Sequence, residues 1–121
     1  MKIPFVKSVE SKKEMYDIII NILQCFLPTS KKLTNKELEV FTHLLSKGDF
    51  HLQCKGNRRI VNSKELGLNE TAFAMHRTRI AKKGWIEDSY PDKLVNKIAV
   101  KLEDNPDEVE INIKLKWRSS I

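Results

Sequence analysis

Glycine, proline and cysteine are all scarce in this 121-residue chain, at four, four and two residues. Four isolated glycines cannot assemble the Gly-rich loop that cradles phosphates in a P-loop. Two cysteines, Cys25 and Cys54, are too few for a disulfide scaffold; without a Cys-x-x-Cys pair they suit reduced thiols in the cytoplasm. His43, His51 and His76 are not spaced as metal ligands either, so neither metal nor cofactor is expected. Aromatic residues are sparse at 7%, which argues against the stacking platforms of RNA-binding domains. Long apolar runs are missing as well. The longest cluster, residues 18–27, is interrupted by Asn21 and Gln24 and falls short of the roughly 18 apolar residues a membrane span requires. The opening Met1-Lys2-Ile3-Pro4-Phe5 has no signal-peptide layout. No serine or cysteine has a nucleophile context, and the acids at 103–104 and 107–110 fit a turn and a strand margin rather than paired catalytic carboxylates. A non-enzyme with no catalytic residues is expected.

What the chain does have is charge and helical pattern. With 40% hydrophobic and 31% charged residues it reads as one folded domain spanning 1–121. Its net charge of +6 is uneven: residues 1–48 carry eight Lys against five acids, residues 49–86 eight Lys and Arg against three, and residues 87–121 six against eight. The electropositive middle is where a polyanionic partner would touch.

Residues 11–27 read as a first helix, opened by a capping-box spacing of Ser11 and Glu14 and stopped by Pro28. Its second half is apolar on more than one face, so it either lies deep in the core or also contacts a second subunit as a homodimer. Thr34 and Glu37 form a second capping box, Leu33 is placed to staple to Leu38, and Leu38, Phe41, Leu44 and Leu45 follow at helical spacing up to Gly48. Phe50, Leu52 and Cys54 alternate with polar residues ahead of a Lys55-Gly56-Asn57 turn signal, which predicts a small hairpin over 50–61 carrying Arg58 and Arg59. A short helix over 62–66 closes at Gly67. Asn69 caps a last helix, with Leu68 placed to staple to Phe73, running to about Lys83 and ending at Gly84. Trp85-Ile86 begins a strand, and a loop over 89–96 follows. Ile98, Val100 and Leu102, then Val109, Ile111, Ile113, Leu115 and Trp117, alternate as two strands of a hairpin.

The stretch LTNKELEVFTHLLSKG (33–48) resembles the opening helix of LuxR-type and sigma-region-four-like DNA-binding domains. KELGLNETAFAMHRTRIAKKG (64–84) resembles their turn and recognition helix. IAKKGWIED (80–88) instead resembles the exit from the recognition helix in winged-helix regulators. The segment between the first and second helices is longer than the LuxR-type pattern, and no closing helix follows Gly84. The resemblance therefore implies an α+β winged helix-turn-helix: N-terminal helices (1–32 the possible dimer contact, 33–88 the helix-turn-helix core) followed by a C-terminal antiparallel hairpin and wing over 89–121.

Helical steps of 100° put Phe73 and Ile80 on one side of the last helix, flanked by His76 and Arg77. Thr71, Met75, Thr78, Arg79 and Lys82 fall opposite. In the implied complex that outer face enters the major groove of duplex DNA. Arg79 would reach guanine or a phosphate, Thr71 and Thr78 phosphate or base edges, and Met75 a thymine methyl. Lys82 and Lys83 would meet the backbone, as would Arg58 and Arg59 from the hairpin, while Lys93 and Lys97 border the wing loop. The expected function is that of a sequence-selective transcription regulator. A second reading is a protein-interaction module in a larger assembly, with residues 108–117 as an edge for strand addition and no DNA bound.

Overall fold

The computed structural model describes residues 1–86, 102 and 106–118. Among these, the chain forms five α-helices. Helix α1 (Lys12–Gln24) begins where the Ser11 hydroxyl accepts the Glu14 N–H at 3.1 Å. It buries Tyr16, Ile19 and Ile20, a spacing that puts all three on one face against α2 (Asn35–Ser46). Much of the apolar excess of residues 11–27 is thus core: Met15, Leu23 and Leu27 also lean on it, while Phe26 stays exposed.

A short 3-10 turn, Thr29–Lys31, leads to α2. Both halves of its capping box are made: Thr34 Oγ1 accepts the Glu37 N–H at 3.2 Å, and Glu37 Oε1 accepts the Thr34 N–H at 2.9 Å. Val40, Phe41, Leu44 and Leu45 form its buried stripe. Phe41 is the centre of the core, meeting Phe50 edge-on at 5.4 Å and Trp85 at 5.9 Å between ring centroids. Each such fully buried side chain contributes about 1.5–3 kcal/mol. The Trp85 indole N–H, deep inside, donates to the Lys31 carbonyl at 2.7 Å.

The hairpin expected over 50–61 is not formed. Asp49 caps the Leu52 N–H at 3.2 Å and opens a single-turn helix α3 (Phe50–Gln53), and α4 (Gly56–Glu65) follows directly. Gly56, at φ +54°, makes the break between them, so the turn signal marks a joint between two helices. Helix α4 is polar on its inner side. Asn62 and Ser63 are buried, whereas Ile60 and Val61 are exposed. Asn62 Nδ2 donates to the Gln53 carbonyl at 3.0 Å and to Gln53 Oε1 at 3.1 Å, clasping α3 to α4.

Gly67, at φ +68°, ends α4 in a Schellman arrangement: its N–H reaches the Lys64 carbonyl at 3.0 Å, and the Leu68 N–H reaches that of Ser63 at 2.9 Å. Helix α5 (Glu70–Lys82) starts at the Asn69 cap, which accepts the Ala72 N–H at 2.7 Å, and ends in the same manner at Gly84. It packs on α2 and α4.

The C-terminal wing is not seen, and the α+β expectation is corrected to an all-helical fold among the described residues. Trp85 and Ile86 are buried in a bend rather than a strand. Leu102 is helical and buried, and its carbonyl accepts the Tyr16 hydroxyl at 3.1 Å. Residues 106–118 enter no helix, strand or bridge. The alternation there is real, but it encodes a strand only if another strand satisfies the backbone, and none does among the described residues. The loop over 89–96, with Lys93 and Lys97, and the first strand's Ile98 and Val100 lie outside the described residues.

Candidate nucleic-acid interface

The face of α5 turned away from the core is set by its inward residues. Phe73, Ile80 and Ala81 are buried, His76 and Arg77 half-buried. Thr71, Met75, Thr78, Arg79 and Lys82 are consequently all exposed, Met75 at 41%. The Thr78 hydroxyl donates to the Ala74 carbonyl at 2.9 Å, which leaves its oxygen as an acceptor. It therefore offers a donor to a phosphate only by giving up that bond.

Lys83 does not belong to this outer set. Its ammonium binds Glu37 Oε1, the same oxygen that takes the Thr34 N–H. Burial opposes ionisation of Glu37, but the hydrogen bonds from Lys83 and Thr34 outweigh it and hold the carboxyl below its usual range. Lys83 is thus a strut between the start of α2 and the end of α5. Sequence reasoning gave it a place on the DNA backbone because its partner lies 46 positions away.

Arg58 and Arg59 sit in the first turns of α4 and are exposed. Arg59 Nη2 lies 3.2 Å from Glu70 Oε1, and Glu70 is the first residue of α5. The ion pair brings the basic opening of α4 beside the N-terminal end of α5, next to Thr71. Lys55, at the α4 cap, and Asn57 extend this surface; with Leu52, Gly56 and Arg58 they line an open depression. A reading of 56–59 as a helix start would have placed Lys55, Arg58 and Arg59 near a helix N-terminus, where partial positive charge adds to theirs.

At the other end of α4, Glu65 accepts from Lys47 at 2.9 Å and lies 2.9 Å from His43 Nε2. The Lys47 hydrogen bond is the main reason that the Glu65 carboxyl sits below its ordinary range. These bonds tie α4 to the last turn of α2. Glu37–Lys83, Glu65–Lys47 and Arg59–Glu70 thereby fix α4 and α5 against α2 by side chains placed at helix ends. Among the described residues, no three His, Cys, Asp or Glu side chains converge as metal ligands would, and no helix is long and apolar enough to cross a membrane. Comparison with protein-family models, curated proteins and solved structures gives no match to this chain.

Proposed function

We propose that α4, the Gly67 turn and α5 act as a helix-turn-helix that binds duplex DNA, in a non-catalytic and regulatory role inside the cell. The observation that carries this reading is the Arg59–Glu70 pair, which sets the basic first turn of α4 beside the start of α5. The outward residues Thr71, Met75, Thr78, Arg79 and Lys82 then continue along α5 from that point. A groove-reading helix uses such an arrangement: flanking cations hold phosphates and fix the register, while side chains on the protruding face meet base edges. In this reading Arg79 and Met75 contact bases, Lys55, Arg58 and Lys82 contact the backbone, and Arg59 stays on Glu70. No wing takes part, and Lys83 holds the frame. The exposed Cys25, outside any disulfide, suits a reducing interior.

The test is retention of mixed genomic duplex fragments at two salt concentrations, followed by sequencing of the bound pool. The reading expects a recurrent sequence family, weaker at high salt because bound cations release counterions. Arg79→Ala is expected to cost about 1–3 kcal/mol and to relax preference at one base position. No retention at low salt would overturn it.

A further inference from the structure

Among the described residues, 108–118 carry an exposed apolar surface with a regular period. Val109, Ile113, Leu115 and Trp117 are exposed, rising to 86% and 92% for the last two, and Ile111 alone rests against the core. Between them stand Glu108, Glu110, Asn112, Lys114, Lys116 and Arg118. An extended chain sorts these into an apolar and a polar face. The polar face is acidic in its first half and basic in its second. The segment is held at its base, where Lys12 Nζ binds the Pro106 carbonyl and lies 3.1 Å from Asp107 Oδ1.

A strand whose charge reverses about its midpoint is complementary to itself when turned end for end. We infer that a second copy of this chain is the missing partner, through antiparallel pairing of residues 108–118 about a two-fold axis at Ile113. In that register Glu108 faces Arg118 and Glu110 faces Lys116 of the second copy, each twice. Asn112 faces Lys114. On the other side Val109 meets Trp117, Ile111 meets Leu115, and Ile113 meets itself. Every acid gains a cation and every apolar residue an apolar neighbour, the cross-strand pairs that stabilise a ladder. Parallel in-register pairing would instead set Glu on Glu and Lys on Lys. A slip of one residue would set the apolar face against the polar one.

Ile111 is the point at which this apolar face rests on the helical body. A two-stranded ribbon is marginal by itself in water, so this contact matters. This inference does not rest on the DNA reading.

Sedimentation of the full chain over a concentration series tests it, with circular dichroism confirming that each variant keeps its helices. The wild-type chain is expected to dimerise. E108K/E110K, which sets cation against cation at the pairs with Arg118 and Lys116, and K116E/R118E, which sets acid against acid at the same pairs, are expected to raise the dimer dissociation constant about tenfold or more. An equal mixture of the two is expected to dimerise again, as is the fourfold variant E108K/E110K/K116E/R118E, in which every pair is restored in reverse. A wild-type chain that stays monomeric throughout the series would overturn the proposal. So would a double variant that dimerises like wild type, or a fourfold variant that does not recover.

Discussion

Glu37 and Lys83 join the capping box of α2 to the last turn of α5 through one carboxylate oxygen. The bond is mostly enclosed, with the Glu37 side chain 2% exposed. Glu37→Gln keeps the shape but loses the charge, and is expected to destabilise the fold by about 1–3 kcal/mol in denaturant titration. The folded-state pKa of Glu37 is lowered, so its contribution is full above the ordinary carboxylate range and fades as pH falls through the folded value. The stability gap between wild type and Glu37→Gln should therefore close in acid. A gap that persists at low pH would assign the loss to packing.

Asn62 is 2% exposed and directs both amide hydrogens to Gln53. Asn62→Leu leaves the Gln53 carbonyl and side-chain oxygen without these donors, at an expected cost of about 1–3 kcal/mol. The denaturation midpoint should drop. An unchanged midpoint would mean that α4 is not held by this clasp.

Gly67 has room for a side chain, since a Cβ built there meets nothing within 4 Å. Its φ of +68° is the only obstacle. Gly67→Ala is expected to cost about 1 kcal/mol through backbone strain, and Gly67→Asn less, because asparagine tolerates the left-handed region. Equal losses for both would point to a contact beyond the backbone.

Glu70 both caps the charge of Arg59 and adds a negative group beside the proposed groove-facing surface. If α5 reads duplex DNA, Glu70→Gln frees Arg59 for a phosphate. The slope of log affinity against log salt should steepen by about 0.9, the value for one more neutralised phosphate. A slope that does not move would leave Arg59 out of the interface.

The helices legible in the sequence are those that announce themselves twice, by a cap and by a stripe. Ser11, Thr34 and Asn69 cap the helices expected of them, and Tyr16, Phe41 and Phe73 lie on the buried sides. The outward set on α5 was legible for the same reason, because Phe73 and Ile80 fix the rotation of the helix. Helix α3 and the first half of α4 were hidden, while the second half of α4 was expected as a short helix over 62–66. Phe50 and Cys54 are both buried, four positions apart, as one helical turn allows, yet with Leu52 between them they also look like a strand. The inner side of α4 is amide and hydroxyl, which no apolar period can report. The wing failed differently. Alternation at 109–117 led to the expectation of a strand that these residues do not form, since a pattern cannot supply the strand it would pair with. Lys83 shows the last limit, since its exposure depends on a carboxylate from another helix.

A helix that turns Asn62 and Ser63 inward and Ile60 and Val61 outward gains little from water's exclusion of apolar surface. What protects α4 is a handful of directional bonds, each of which breaks all at once when its geometry slips. Its amide protons should accordingly exchange with solvent sooner than those of α2, whose stripe of Val40, Phe41, Leu44 and Leu45 opens only with the whole core. Of these two helices, the one that carries Arg58 and Arg59 is thus the sooner to open, held by side-chain bonds where α2 is held by the core.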